Sequence, residues 1–350
     1  MKRNTLIMVA FLLLGTLLYG CGTLKETSPP AEKEVKSASS EPVKVYTTIF
    51  PLQDFTEKIG GNHVEVVSVF PAGVDAHTYE PTVQTMVDIA KADALIYTGA
   101  GVEGFVEAGH DALKNEHVKI VKAADGIELL PFNEAHEEEH HEDSEDEHHD
   151  DHHEDQSTSE DEHHETESHT KHEHHHGDAD PHVWLDPVLA IDLAENILHA
   201  LEQLKPEAKE DFKRNFEKLT EELQLLNQEF STVIQNSTKK EILVSHAAYG
   251  YWEARYGIEQ ISVSGLSPTD EPSQKDLMNI INTSKEHNIK YVLFEQNLSM
   301  KIAEMVKHEI GAEALTLHNL EAITNEDQTN NEDYFSIMRR NLETLTKALH

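Results

Sequence analysis

The chain has 350 residues, enough for two ordinary domains with real cores, and sets 66 Asp and Glu against 28 Lys and Arg for a net charge of −38. Such acidity argues against nucleic acid, which needs basic surface to release counterions from phosphates, and suits a cation ligand or a protein outside the cytoplasm. The 38% hydrophobic fraction is low because one tract dilutes it: across 134–178 twenty acids face a single lysine, which is half of the whole net charge.

The N-terminus reads MKRNTLIMVAFLLLGTLLYGC, with Lys2 and Arg3 ahead of an apolar run over 6–18, then Gly20 and Cys21. This pattern predicts a secretory signal peptide over 1–20, too short in its apolar core for a comfortable membrane span. Cys21 is the only cysteine, so it has no internal disulfide partner. Leu18-Tyr19-Gly20-Cys21 resembles the lipobox of bacterial lipoproteins, although Tyr19 is less typical there than a small residue. The resemblance implies lipidation of Cys21 and an anchor on the outer face of the cell membrane. The alternative is an ordinary signal peptide with a chance cysteine. Residues 22–42, rich in Ser, Pro, Glu and Lys, read as a flexible tether, so 21–42 is a lipidated cysteine and its leash.

Ordered structure is expected from Val43. VKVYTTIF gives a first strand running to Phe50, followed by a helix over 54–59; VEVVSVF, ALIY and VKIVKAA give three more strands. Strands alternating with helices predict an α/β lobe with a parallel sheet over 43–205. The tract over 134–178 interrupts it without an apolar residue at any core period, and reads as a disordered acidic insertion. Asp186-Pro187 signals a helix start. Phe212, Phe216, Leu219, Leu223, Leu226, Phe230 and Val233 then recur at alternating steps of four and three, which predicts one long helix over 206–236. That stripe fits a coiled-coil seam or a helix running along both lobes. A second α/β lobe over 237–350 follows from EILVSH, a strand over 290–297, a helix opened by Glu271-Pro272-Ser273 with Asp276 completing a capping box, and an amphipathic helix over 334–349.

Three histidines stand apart from the tract and from surface positions such as His63, His110, His117, His199, His287, His308 and His350. His77 lies in GVDAHTYEP, His182 in DPHVWLDP just before a helix cap, and His246 ends a strand in LVSHAAYGY; Glu295 follows another strand in VLFEQN. In open parallel sheets ligands bind at the carboxyl ends of strands, so these groups could converge in a cleft between lobes. Three imidazoles and a carboxylate suit tetrahedral Zn²⁺ better than Mg²⁺ or Ca²⁺. Spacing alone does not decide it, because each histidine by itself is more often structural.

The segments GVDAHTYEPT, DPHVWLDP, SHAAYGYWEARYGI and the EPS helix followed by YVLFEQ resemble, in order from about Val43 to the C-terminus, the metal-binding solute-binding proteins of ABC importers, cluster A-I (older name cluster 9). The zinc-binding ZnuA/AdcA type is the nearest pattern. The resemblance implies two Rossmann-like lobes joined by a single long rigid helix, with the metal in the interlobe cleft. It places the metal histidines on His77, His182 and His246 and the fourth ligand on Glu295, with a water as the alternative there. Manganese members carry a carboxylate where His246 stands, so zinc is implied, with a manganese or broader-specificity protein as the alternative. It further implies a monomeric lipoprotein with no chemistry of its own, which passes Zn²⁺ to an ABC permease driven by a cytoplasmic ATPase. Some AdcA-type lipoproteins carry an additional C-terminal zinc domain, and this chain is expected to lack one.

The tract supplies His136, His140, His141, His148, His149, His152, His153, His163, His164, His169, His172, His174, His175 and His176. These predict an accessory set of weaker zinc sites, a collector or sensor, since ordering the loop opposes binding and protonation below about pH 6.5 removes the ligand nitrogens. The alternatives are a solvated, charge-repelling loop, or a zinc buffer or adhesin acting through the tract alone. Two H-E-x-x-H matches, at His136 to His140 and His172 to His176, raise a zinc hydrolase as another class. They lack the packed apolar helix that such a motif needs, and biased composition produces chance matches. The chain holds no G-x-x-x-x-G-K-[ST], so an ATPase would be a separate chain.

Overall fold

The computed structural model describes residues 41–131, 179–296 and 300–350. The expected signal peptide, Cys21, nearly all of the tether, the tract with its fourteen histidines and the end of the strand expected at Asn297 lie outside these residues.

The first lobe is built from β1 (Val43–Thr47), α1 (Phe50–Gly60), β2 (Val64–Ser68), α2 (Val83–Ala90), β3 (Ala94–Tyr97), α3 (Gly104–Leu113), β4 (Lys119–Lys122) and α4 (Leu189–Leu204). Its strands pair in parallel in the order β2-β1-β3-β4, Val45 lying between Val66 and Ala94. Strands flanked on both faces become apolar without alternation, and Ala94, Leu95 and Ile96 are all fully buried. The run from Tyr46 to Phe50 divides earlier than expected. The strand ends at Thr47 and α1 begins at Phe50, because Pro51 falls in the first helical turn, where its missing N–H costs nothing. Asp186 does cap α4 as expected, its Oδ1 accepting from Val188 N and Leu189 N.

The long helix α5 (Lys209–Asn236) follows a short 3₁₀ turn at Pro206–Ala208. The second lobe comprises β5 (Glu241–His246), α6 (Gly250–Tyr256), β6 (Glu259–Ser264), α7 (Gln274–Glu286), β7 (Tyr291–Phe294), α8 (Lys301–Ile310), β8 (Glu313–Thr316), α9 (Asn325–Thr329) and α10 (Tyr334–Ala348). Its sheet is again parallel, in the order β6-β5-β7-β8, which repeats the topology of the first. Two of these strands, β6 and β8, are absent from the sequence reading; both are sheet edges, and β8 is largely exposed, so its residues carry no core period. The capping box of Ser273 and Asp276 forms at the start of α7.

The apolar stripe of α5 is not a coiled-coil seam. The helix packs against α1 and α4 of the first lobe and against α6 and α10 of the second. Phe212, Leu219, Leu223, Leu226, Phe230 and Ile234 are buried, and Phe230 contacts the rings of Trp252 and Tyr256 at 5.2 and 5.6 Å. One apolar cluster therefore runs through both lobes, with a smaller cluster between the second sheet and α7 and α8. Phe230→Ala should cost about 3–5 kcal/mol, from lost transfer energy and the cavity left behind. Leu225→Ala, at a position 53% exposed, should stay within about 0.5 kcal/mol. Denaturant midpoints of the two variants check this.

Candidate metal centre

Every side chain of the candidate centre follows the carboxyl end of a strand. His77 lies in the connection from β2 to α2, where Asp75 forms a tight turn by accepting from His77 N at 3.0 Å and from Thr78 Oγ1 at 2.8 Å. His182 lies beyond β4, His246 is the last residue of β5, and a loop after β8 carries Glu321. In the second sheet β5 and β7 are the adjacent strands at which the strand order reverses, the place where open α/β sheets present their crevice.

His77, His182, His246 and Glu321 offer ligand atoms that all lie within 4.8 Å of one another. Their side chains are 2%, 0%, 0% and 3% exposed. Glu321 Oε1 lies 3.2 Å from His77 Nε2, 3.4 Å from His182 Nε2 and 4.0 Å from His246 Nε2, and the last two nitrogens are 3.3 Å apart. A tetrahedral ion with bonds of about 2.0–2.1 Å has ligand atoms about 3.3–3.4 Å apart, which three of these four separations match and the 4.0 Å one exceeds.

Two further buried carboxylates set the ring orientations. Asp180 Oδ1 lies 2.8 Å from His182 Nδ1 and also accepts from His182 N at 2.9 Å. Glu295 Oε1 lies 2.6 Å from His246 Nδ1 and accepts from Ser245 Oγ at 2.8 Å. A carboxylate accepts, so each Nδ1 carries its hydrogen and each Nε2 is the nitrogen that faces the centre. Gly250 is required at the head of α6, because a Cβ there would lie 2.5 Å from Asp180 Oδ2.

The three histidines singled out in the sequence are brought together, and Glu295 is not among them. Its carboxylate stands behind His246, on the ring nitrogen facing away from the centre, and the carboxylate that faces the three Nε2 atoms is Glu321. Sequence reasoning missed Glu321 because it missed β8; a strand at EALT would have put the following LHNLE at a carboxyl end, beside the other three. It also left His318 unplaced. That residue is buried, and its Nδ1 accepts from Leu320 N at 2.9 Å. His63, His199 and His287 make ion-pair contacts with Asp211, Glu195 and Glu241 away from the centre.

A family model described as ZnuA, zinc-uptake complex component A, periplasmic, matches residues 45–348. The chain belongs to this family. It is 35% identical over 303 residues to the zinc-binding protein AdcA of Streptococcus pyogenes serotype M3, covering 87% of this chain and 55% of that one. It is 32% identical over 348 residues to the high-affinity zinc uptake system protein ZnuA of Bacillus subtilis, covering 99% and 98%. The crystal structure of Zn(II)-bound AdcA from Streptococcus pneumoniae superposes with a TM-score of 0.68 at 30% identity, over 88% of this chain and 58% of that one. The chain thus spans about half the length of the AdcA proteins it matches, and nearly all of the Bacillus protein.

Burial by itself pulls the His182 pKa down, but hydrogen bonds to Asp180 and Glu321 and the charges of both outweigh it and raise the value to about 9. Burial pushes Glu321 up, and the charges and hydrogen bonds of His77 and His182 overcome this and hold it well below the usual carboxylate range. The folded His182 value lies above its ordinary 6.5. Its proton therefore stabilises the metal-free fold fully below pH 6.5, and this contribution is lost as pH rises through about 9. A metal ion needs that Nε2 lone pair, so zinc binding at pH 7.5 should expel about one proton per ion, and apparent affinity should climb by up to about tenfold per pH unit until near pH 9. Calorimetry in buffers of different ionisation enthalpy reads the proton count; an affinity flat from pH 7 to 9 would contradict it.

Proposed function

We propose that the chain is the zinc-capturing component of an ABC importer, binding Zn²⁺ through Nε2 of His77, His182 and His246 and the carboxylate of Glu321. The observation that carries this reading is the convergence of those four side chains, their ligand atoms buried and all within 4.8 Å of one another. Three neutral nitrogens and one oxygen match the donor preference of zinc rather than the all-oxygen sets of calcium and magnesium. Family membership and the zinc-bound relative support it independently.

The same geometry supports binding without catalysis. Zinc enzymes keep a coordination position open for water, whereas four protein ligands close the tetrahedron. No helix among the described residues is long and apolar enough to cross a membrane, and the sequence holds no phosphate-binding loop. Membrane passage and ATP hydrolysis then fall to a separate permease and cytoplasmic ATPase. The relative in Streptococcus pneumoniae is named a zinc-binding lipoprotein, which supports Cys21 as a lipid anchor holding the chain on the outer face of the membrane. The histidine-rich tract is an accessory set of weak sites that collects zinc for the centre.

Two titrations against a competing chelator test this. Replacing a ligand, in His246→Ala or Glu321→Gln, should lower zinc affinity by more than about 100-fold, while Glu295→Ala, which removes only the partner of a ligating histidine, should cost about 10–100-fold. Near-native affinity in Glu321→Gln with collapse in Glu295→Ala would overturn the ligand set. Deleting residues 136–176 should leave one tight site and remove several weak ones; loss of the tight site with the tract would overturn the assignment of the centre itself.

A further inference from the structure

Between β8 and α9, residues 317–321 form a loop tied at its ends by backbone bonds to Phe294 and Phe50 and fixed between them by side chains bonding to backbone. Asn341 Nδ2 donates to His318 O at 2.7 Å and its Oδ1 accepts from His318 N at 2.8 Å. The His318 ring accepts from Leu320 N. Leu320, fully buried, sits at φ +62°, a left-handed conformation that a leucine keeps only where its surroundings impose it. At the middle of this loop stands Asn319, 5% exposed.

Asn319 reaches three supports of the candidate centre at once. Its Oδ1 accepts from the backbone N of Glu321 at 3.2 Å. Its Nδ2 donates to Glu295 Oε2 at 3.3 Å, the oxygen opposite the one that holds His246 Nδ1. Its backbone carbonyl accepts from Trp184 Nε1 at 2.8 Å, two residues beyond His182. The amide orientation follows from the partners, since a backbone N–H must donate and a carboxylate must accept.

We infer that Asn319 is a positioning residue of the metal centre, locking the Glu321 carboxylate, the Glu295 that orients His246, and the segment of His182 into one geometry that favours a tetrahedral zinc ion. This rests on the zinc-binding reading above. Aspartate and leucine have nearly the shape of asparagine, but aspartate supplies no donor to Glu295 and leucine supplies neither donor nor acceptor. The role is therefore separable from the volume the side chain fills.

The test compares the native chain with Asn319→Ala and Asn319→Leu, measuring Zn²⁺ and Mn²⁺ affinity by chelator competition and the melting temperature of each metal-free protein. Zinc affinity should fall about 10–100-fold, as when an orienting partner of a metal-bound histidine is lost. Manganese accepts looser, oxygen-richer sites, so its affinity should fall less and the zinc-to-manganese ratio should drop. The losses in Asn319→Ala and Glu295→Ala should be less than additive when combined, because one acts through the other. Folded variants with zinc affinity within about twofold of native, an unchanged zinc-to-manganese ratio, or strictly additive losses would overturn the positioning role. If the native chain itself lacked a tight zinc site sensitive to His246→Ala, the zinc-binding reading would fail first, which is a distinct result.

Discussion

The centre is governed by the cost of burying negative charge. Glu321, Asp180 and Glu295 are each 5% exposed or less, and all three lie against imidazoles with no lysine or arginine among their hydrogen-bonding partners in the described residues. Taking a carboxylate out of water costs several kcal/mol even after relaxation, and hydrogen bonds from neutral rings return only part of that. A cation is needed. In the metal-free protein it is a proton on His182, whose place an ion at the meeting point of the Nε2 atoms would take under the zinc-binding proposal. The two are mutually exclusive because they use the same lone pair, so proton and metal compete for a cavity that requires one of them. The cluster therefore differs from a set of histidines that merely fills a core.

Two parallel sheets of identical topology supply the place for such a cavity. Each directs the carboxyl ends of its strands toward the other lobe, and α5 packs on both. His246 terminates β5 and Glu295 immediately follows β7, neighbours in the sheet, which is why the carboxylate falls on the outward nitrogen of the imidazole. Glu321 arrives from β8, one strand farther along, after four loop residues. That extra reach lets it pass in front of His246 rather than behind it.

The parts of this arrangement that were legible in the sequence are those with a strong period or a distinctive flank. The seven apolar positions of α5 announced one long helix, while fitting a coiled-coil seam as well as packing on both lobes. The three histidines stood out by their strand-end and helix-cap surroundings, and the family resemblance lifted them above chance. Glu295 also sat at a strand end, and it does touch the centre, but through the far nitrogen of His246. Sequence places a residue at a strand terminus without saying which side of a ring its side chain will meet. Glu321 was hidden for a different reason. The strand before it is an exposed edge of four residues, too short and too polar to show a period, and only tertiary pairing with β7 defines it. His318, overlooked in the sequence, is there to shape the loop that delivers Glu321.

The two lobes are not independent jaws. The segment of His182 precedes α4 of the first lobe, yet it is bonded into the second: Trp252 Nε1 donates to Leu185 O, Tyr251 Oη to Asp180 O, Tyr334 Oη to Trp184 O, and Trp184 Nε1 to Asn319 O. The segment of Glu321 is bonded in the opposite direction, its backbone carbonyl accepting from Phe50 N at the head of α1, while Ile323 O accepts from Gly73 N. A rigid swing of one lobe about α5 would strand several of these buried donors and acceptors, each at about 1–3 kcal/mol. The continuous apolar cluster opposes the same motion. His182, His246 and Glu321 are thus held as a unit by bonds that cross between the lobes in both directions. Under the zinc-binding proposal such a centre would dictate the geometry of its ion, since the four candidate ligand atoms already lie within 4.8 Å of one another and little ordering remains to oppose binding.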